Sequence, residues 1–188
     1  MNNNIQQQTT INIQEKANLI WAIADKLVGI YKPHEYGNVI LPMCVIKRFE
    51  DTLAPTKQAV LDTNAKLDKD GIVVKKGFLE TAAGQQFYNL SPFTFQSLLN
   101  DPENIKENFE SYLNHFSENV IDIIHRMDFD RELQKMADNN VLYLVIKEFC
   151  TAKAYLGADV LTSVDMGYIF EELVRKFSES YDEQAGAH

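Results

Sequence analysis

The sequence predicts an all-α protein, an irregular multi-helix bundle, with 70–77 as the one stretch where a short β-hairpin arm competes with an ordered loop. Two observations carry that expectation. Apolar residues recur at three- and four-residue steps through most of the chain, which places them on one face of a helix. Prolines and small polar residues stand where helices open, as in Ala54-Pro55, Asp101-Pro102 and Thr162 with Asp165.

Taken in order, MNNNIQQQTT is low in complexity and has neither a basic end nor an apolar core, so residues 1–12 read as a flexible tail rather than a signal. Leu19, Ile20, Ile23, Leu27 and Ile30 form an apolar stripe flanked by Trp21 and Tyr31, predicting a helix from Ala17 to about Ile30. A second stripe, Val39, Ile40, Met43, Ile46, Phe49 and Leu53, predicts a second helix bent at Pro42, where one backbone donor is missing. The connector Tyr31-Lys32-Pro33-His34-Glu35-Tyr36 joins them; His34 and Tyr36 are read as an interhelical histidine and a core tyrosine.

Ala54-Pro55 opens a third helix that continues through Val60 to Leu67. Asp70-Gly71 is a turn signal, and Ile72-Val73-Val74 before Lys75-Lys76-Gly77 favours a loop over the hairpin arm. A short helix is expected within Phe78 to Phe87, then an aromatic connection, Phe87-Tyr88 with Phe93 and Phe95, over one end of the core.

Asp101 is placed as the cap of a helix striped by Ile105, Phe109, Tyr112, Leu113 and Phe116, and Ser117 as the cap of the next. Asp128 or Asp130 opens another, through Leu133 and Met136. Val141 to Ile146 is apolar on all sides; a buried strand fits, but the pattern continues through Phe149, Cys150 and Ala154, which favours a central helix. The last stripe, Met166, Ile169, Phe170, Leu173, Val174 and Phe177, follows a capping box of Thr162 and Asp165. On its other face Glu171 precedes Arg175, and Glu172 precedes Lys176, by four residues. Those four side chains are either a solvated face or a docking face for a neighbouring domain.

Composition narrows the function. The chain has 188 residues, 45% hydrophobic and 24% charged, and no run approaches a membrane span, so a soluble cytoplasmic domain is expected. Cys44 and Cys150 lie in apolar runs and read as buried thiols, while the four histidines show no metal-ligand spacing, so no metal site is expected. The net charge of −9 is uneven: residues 1–90 carry ten Lys/Arg against nine Asp/Glu, and 91–188 carry eight against eighteen. Such a balance argues against duplex DNA being gripped by this chain alone.

Trp21, Ala24, Asp25, Tyr31, Lys32, Pro33, Tyr36, Ile40, Leu41 and Pro42, then Phe116 to Val120, then Met166 to Phe177 and the closing EQAGAH, carry a resemblance. This chain resembles the amino-terminal helical domain of the M (modification, methyltransferase) subunit of type I restriction-modification systems. The resemblance implies a helical domain over 13–182, and a junction at 183–188 leading to an adenine-N6 methyltransferase domain that uses S-adenosylmethionine. It also implies that Ala187 and His188 match the first positions of a cofactor-side loop. Implied partners are the S (specificity) subunit, a second M subunit, the R (restriction) subunit and double-stranded DNA. Methylation at N6 requires the adenine to be flipped out of the duplex, and a helical domain bridging two methyltransferases would help enclose that DNA.

No catalytic residue is expected within this chain. Its eight glycines include no G-x-G pair to cradle a nucleotide. Ser91-Pro92-Phe93 imitates a stub of the Asn-Pro-Pro-Phe loop of adenine methyltransferases, but lacks the amide or carboxylate and the second proline, so it reads as a decoy. Lys32, Lys47, Arg48, Lys75 and Lys76 are the candidates for DNA backbone contact, with ordinary solvated lysines as the plainer reading. The rival function is a self-standing acidic helical adaptor, or a DNA mimic using the acidic half. A helix-turn-helix regulator is disfavoured because no helix carries several basic residues on one face.

Overall fold

The computed structural model describes residues 13–18 and 21–186, with side chains to 178; the expected tail, Leu19 and Ile20, and Ala187 and His188 lie outside the described residues. Helical backbone covers 13–18 and 21–24 (α1). There follow α2 (Tyr36–Leu53), α3 (Lys57–Lys69), α4 (Lys76–Ala83), α5 (Phe95–Leu98), α6 (Ile105–Asn114), α7 (Glu118–Arg126), α8 (Phe129–Asp138), α9 (Leu142–Phe149) and α10 (Ser163–Gly186). Among the described residues there is no β-strand, only isolated bridges at Val28–Tyr31 and Asn89–Phe116, so the all-α expectation holds.

α2 is the hub. It packs on α8 and α10, while α6, α8 and α9 pack on one another and α3 pairs with α4. Its Val39, Ile40, Met43, Cys44 and Ile46 are fully buried, and Pro42 is accommodated within the helix. Around it lie Phe109, Tyr112, Phe129 and Phe149. Phe95 meets Phe109 at 5.8 Å and Tyr112 at 5.9 Å, both edge-on, an arrangement that adds about 0.5–1.5 kcal/mol per pair beyond the burial itself.

Several expectations change in detail. The first helix does not reach Ile30: a 3-10 turn occupies Asp25–Leu27, Val28 is extended at ψ 132°, and Gly29 turns the chain at φ 86°. Leu27 still reaches the core from that turn. The connector is itself ordered, with the Glu35 N–H donating to Lys32 O (2.8 Å) and Glu35 Oε2 accepting from the Lys32 N–H (2.7 Å).

The hairpin arm does not form. Gly71, at φ 71°, closes α3, and the Ile72 N–H donates back to Leu67 O (2.9 Å), satisfying an end carbonyl. The lysines that would begin a return strand instead open α4, whose first turn is closed by Leu79 N–H to Lys75 O (3.0 Å). The loop alternative is the observed one, and the strand alternative for Val141 to Ile146 is likewise replaced by α9.

Candidate caps stand at the right positions with unexpected partners. Asp101 accepts from the side-chain amides of Asn104 (3.1 Å) and Asn108 (3.2 Å). Ser117 Oγ accepts from the Tyr88 N–H (3.2 Å) and donates to Asn119 Oδ1 (2.7 Å), so it ties the aromatic connection to the start of α7. Thr162 and Asp165 do form the reciprocal box, at 2.8 and 3.1 Å.

Candidate functional site

Two regions concentrate chemistry. The first is a buried charge cluster on the last two turns of α2. Lys47, Glu50 and Asp51 are all buried, although α2 is otherwise apolar on this side. Lys47 Nζ meets Asp51 Oδ2 at 2.5 Å and Ala154 O at 3.4 Å, while the same Asp51 oxygen accepts from the Leu156 N–H at 2.8 Å. Arg48 donates to the carbonyls of Leu156 (3.1 Å) and Leu161 (2.5 Å). Glu50 accepts from the Phe95 N–H (2.5 Å) and from the Tyr112 hydroxyl. Lys57 donates to Phe93 O and lies 5.2 Å over the Tyr112 ring.

Electrostatics follows burial. Desolvation pushes the Glu50 carboxyl above its ordinary value, against the pull of the Phe95 N–H and Lys57, and lowers the Lys57 ammonium. It raises the Tyr112 phenol, with Glu50 adding to the effect. A cavity of about 510 Å³ opens beside the cluster, lined in part by Thr94, Gln96, Cys150 and Tyr155. The Cys150 thiol is pushed up to about 11 by burial, the opposite of what a nucleophile needs. Among the described residues the only buried side-chain polar atom without a partner is Thr52 Oγ1. Such a satisfied network fastens helices together.

The second region surrounds α10. Phe177 packs on Trp21 (5.0 Å) and Tyr36 (6.4 Å), and a groove of about 690 Å³ runs between α2 and α10, lined by His34, Gly37, Asn38, Leu41, Val174, Phe177 and Ser178. A Cβ on Gly37 would lie 3.4 Å from Phe177, so glycine there admits close approach of the two helices. On the outer face of α10, Val164, Tyr168 and Val174 are 66%, 54% and 50% exposed, interleaved with exposed Gly167, Glu171 and Arg175.

The structure separates the residues that the sequence grouped. Lys47 and Arg48 point into the fold and hold the 151–161 segment. Lys75 is half-buried, bonded to Asn64 (3.0 Å) and to Asp68. Lys32 and Lys76 are exposed, with Lys76 3.8 Å from Glu80. On α10, Glu172 pairs with Arg175 three residues on, and Lys176 donates to Asn18 (2.6 Å), which turns Lys176 toward α1, while Glu171 is exposed. Tyr36 is in the core as expected, and His34 lines the groove. Ser91-Pro92-Phe93 is a tight turn, Ser91 N–H donating to Asn89 Oδ1 (2.7 Å) and Phe93 N–H to Ser91 Oγ (3.0 Å). No group of three His, Cys, Asp or Glu residues is arranged for a metal among the described residues.

The domain is thus a bundle organised on a proline-containing α2, with an aromatic seam to α10 and an interior whose polar groups are paired. Comparison with protein families gives it a place: the model of the HsdM N-terminal domain matches residues 16–149, more than two thirds of the chain. The chain belongs to that family. As an HsdM N-terminal domain it is the amino-terminal domain of the M subunit of a type I restriction-modification system. No curated protein and no solved structure matches it. The match spans the hub helix and the α6–α9 core, and the outward stripe of α10 lies beyond it. No helix among the described residues of the HsdM domain is long and apolar enough to cross a membrane.

Proposed function

We propose that this HsdM N-terminal domain is an assembly element of a cytoplasmic type I modification enzyme. It docks through the outer stripe of α10 and the adjoining groove onto the S subunit and the remainder of the M subunit, and helps enclose double-stranded DNA between two M subunits. The R subunit joins the same assembly for restriction. Methyl transfer from S-adenosylmethionine to adenine N6 belongs, in this reading, to another domain of the M subunit. The sequence supports that division of labour: its eight glycines include no G-x-G pair of the kind that cradles a nucleotide-type cofactor.

The observation that carries the docking reading is the set of three large apolar side chains, Val164, Tyr168 and Val174, exposed along one helix beside an apolar groove. A solvated helix face would carry charged and polar residues there. For DNA, Lys32, Lys75 and Lys76 remain the candidates with surface access, whereas Lys47 and Arg48 are committed to the fold.

The test is reconstitution of the full M subunit with the S subunit, comparing wild type with Tyr168→Glu/Val174→Glu. Loss of co-elution in size-exclusion chromatography with unchanged circular dichroism is the expected result. Stoichiometric assembly of the double variant would refute docking through α10.

A further inference from the structure

The cavity beside the buried charge cluster has a floor and a mouth of different chemistry. Lys47, Glu50, Asp51 and Phe95 are buried and form the floor, whereas Ala54, Gln96, Thr151 and Ala152 are exposed and surround the opening. Its volume of about 510 Å³ falls within the range of about 300–1,000 Å³ usual for small-molecule sites, which are likewise mostly apolar with a few fixed polar groups.

The floor keeps one acceptor and one donor that the fold does not use. Asp51 Oδ2 takes both the Lys47 ammonium and the Leu156 N–H, while Asp51 Oδ1 makes no hydrogen bond among the described residues. Nor is Oδ1 sealed from solvent, because Thr52 Oγ1 is the one sealed side-chain atom without a partner among the described residues. Asp51 is 7% exposed and lines the cavity, so this oxygen opens onto it. Lys47 Nζ carries three hydrogens and places two, on Asp51 and on Ala154 O. The Tyr155 ring, which also lines the cavity, lies 5.9 Å from that nitrogen. The free acceptor and the free donor stand side by side, since the groups that carry them are in contact. The neighbouring polar groups are engaged elsewhere: Glu50 holds the Phe95 N–H and the Tyr112 hydroxyl, Thr151 Oγ1 donates to Glu148 O, and the Tyr155 hydroxyl donates to Asp159.

Charge decides what fits. A cation on Asp51 Oδ1 would share that carboxylate with an ammonium already 2.5 Å from it, and an anion on Lys47 would lie against Asp51 and Glu50. Burying either charge without compensation is costly. A primary carboxamide presents an N–H beside a C=O and meets both free atoms without adding charge. We propose that this cavity is a binding site for a small uncharged amide, whose N–H donates to Asp51 Oδ1, whose carbonyl accepts from Lys47 Nζ, and whose apolar body rests on Phe95, Cys150 and Ala152. The site requires only this chain and is independent of the assembly role proposed above.

Benzamide is the probe, with benzoate and benzamidine as an anion and a cation of nearly the same shape. The full chain, isotope-labelled and at neutral pH, is titrated while its backbone amide resonances are followed. Benzamide should shift Phe95, Gln96 and Thr151 saturably with a Kd of about 1–10 mM, the range open to so few atoms. It should also slow maleimide labelling of Cys150. Benzoate and benzamidine should each bind at least about tenfold more weakly. Ala152→Trp, at an exposed position on the mouth, should abolish the shifts. Lys47→Met removes the donor, leaves two carboxylates on the floor, and should invert the preference so that benzamidine binds more tightly than benzamide, a reversal that misfolding does not produce. The absence of saturable shifts up to about 50 mM benzamide overturns the proposal. So do equal affinities for the three probes, binding that survives Ala152→Trp, or a folded Lys47→Met variant that still prefers benzamide. Should Lys47→Met fail to fold, the three probes on wild type and Ala152→Trp decide the matter.

Discussion

Replacing Asp51 by alanine probes the cluster where it is tightest. One oxygen of Asp51 holds both the Lys47 ammonium at 2.5 Å and the Leu156 N–H at 2.8 Å, and both Asp51 and Lys47 are buried. The substitution removes the one carboxylate paired with Lys47 among the described residues and strands the amide of Leu156. Removing one member of a buried pair costs about 3–5 kcal/mol, because the remaining charge stays desolvated. Against a total stability of about 5–15 kcal/mol that is a large fraction, and at about 2–4 °C per kcal/mol for a chain of this length the melting temperature should fall by about 6–20 °C. Urea denaturation followed by circular dichroism gives the difference directly. Asp51→Asn keeps an acceptor for Leu156 and should lose less. Lys47→Met/Asp51→Leu removes both charges and should be more stable than Asp51→Ala alone, since no unpaired ion is left. A loss below about 1 kcal/mol for Asp51→Ala, or a double variant whose cost is the sum of the single ones, would refute the coupled network.

Glu50 carries a raised folded-state value, so the native state holds its proton to higher pH than the unfolded chain does; its contribution is full below the ordinary glutamate value and is lost as pH rises through the folded one. The stability difference between Glu50→Gln and wild type should therefore move in favour of glutamine from mildly acidic to neutral pH in urea melts, and a constant difference would refute the assignment. Cys44 is fully buried and its thiol is raised by desolvation, whereas Cys150 borders the 510 Å³ cavity, so a maleimide at pH 8 should label Cys150 slowly and Cys44 only on unfolding, as read by mass spectrometry. Asn140, at φ 57° before α9, should accept glycine with little change and lose about 1–2 kcal/mol as valine, measured by thermal melts; equal melting of the two variants would contradict a left-handed requirement there.

The sequence made the long stripes legible because helical periodicity is a local property. α10 needed only its own apolar spacing and the Thr162–Asp165 box, and α9 was ambiguous because its outward face begins with an apolar residue, Leu144 (43% exposed), so no polar residue before Lys147 reveals its period. The destination of Lys47 and Arg48 was hidden, since their acceptors lie at Ala154, Leu156 and Leu161, more than a hundred residues away. One signal was available. Glu50 follows Met43 and Ile46 at the stripe's own spacing, so a carboxylate on the core face of α2, with Lys47 and Asp51 four apart beside it, already implied partners inside the fold. At the tip the hairpin arm stayed open beside the favoured loop because β propensity describes a side chain's fit to a sheet, and a run of Ile-Val-Val has that fit whether or not its own chain supplies the neighbouring strand.

The fastening of 151–161 to α2 also bears on the order in which the molecule assembles. Its bonds close loops of 105 to 113 residues, whereas the α3–α4 pairing and each helix close over short ones. Long closures cost more entropy and are made once the intervening helices have already shortened the path. The Lys47, Arg48 and Asp51 contacts are then absent from the folding barrier and present only beyond it, so weakening them quickens unfolding and leaves the rate of folding almost unchanged. The segment that leads into α10 is in this sense the latch of the domain: set last, it governs how long the folded form persists.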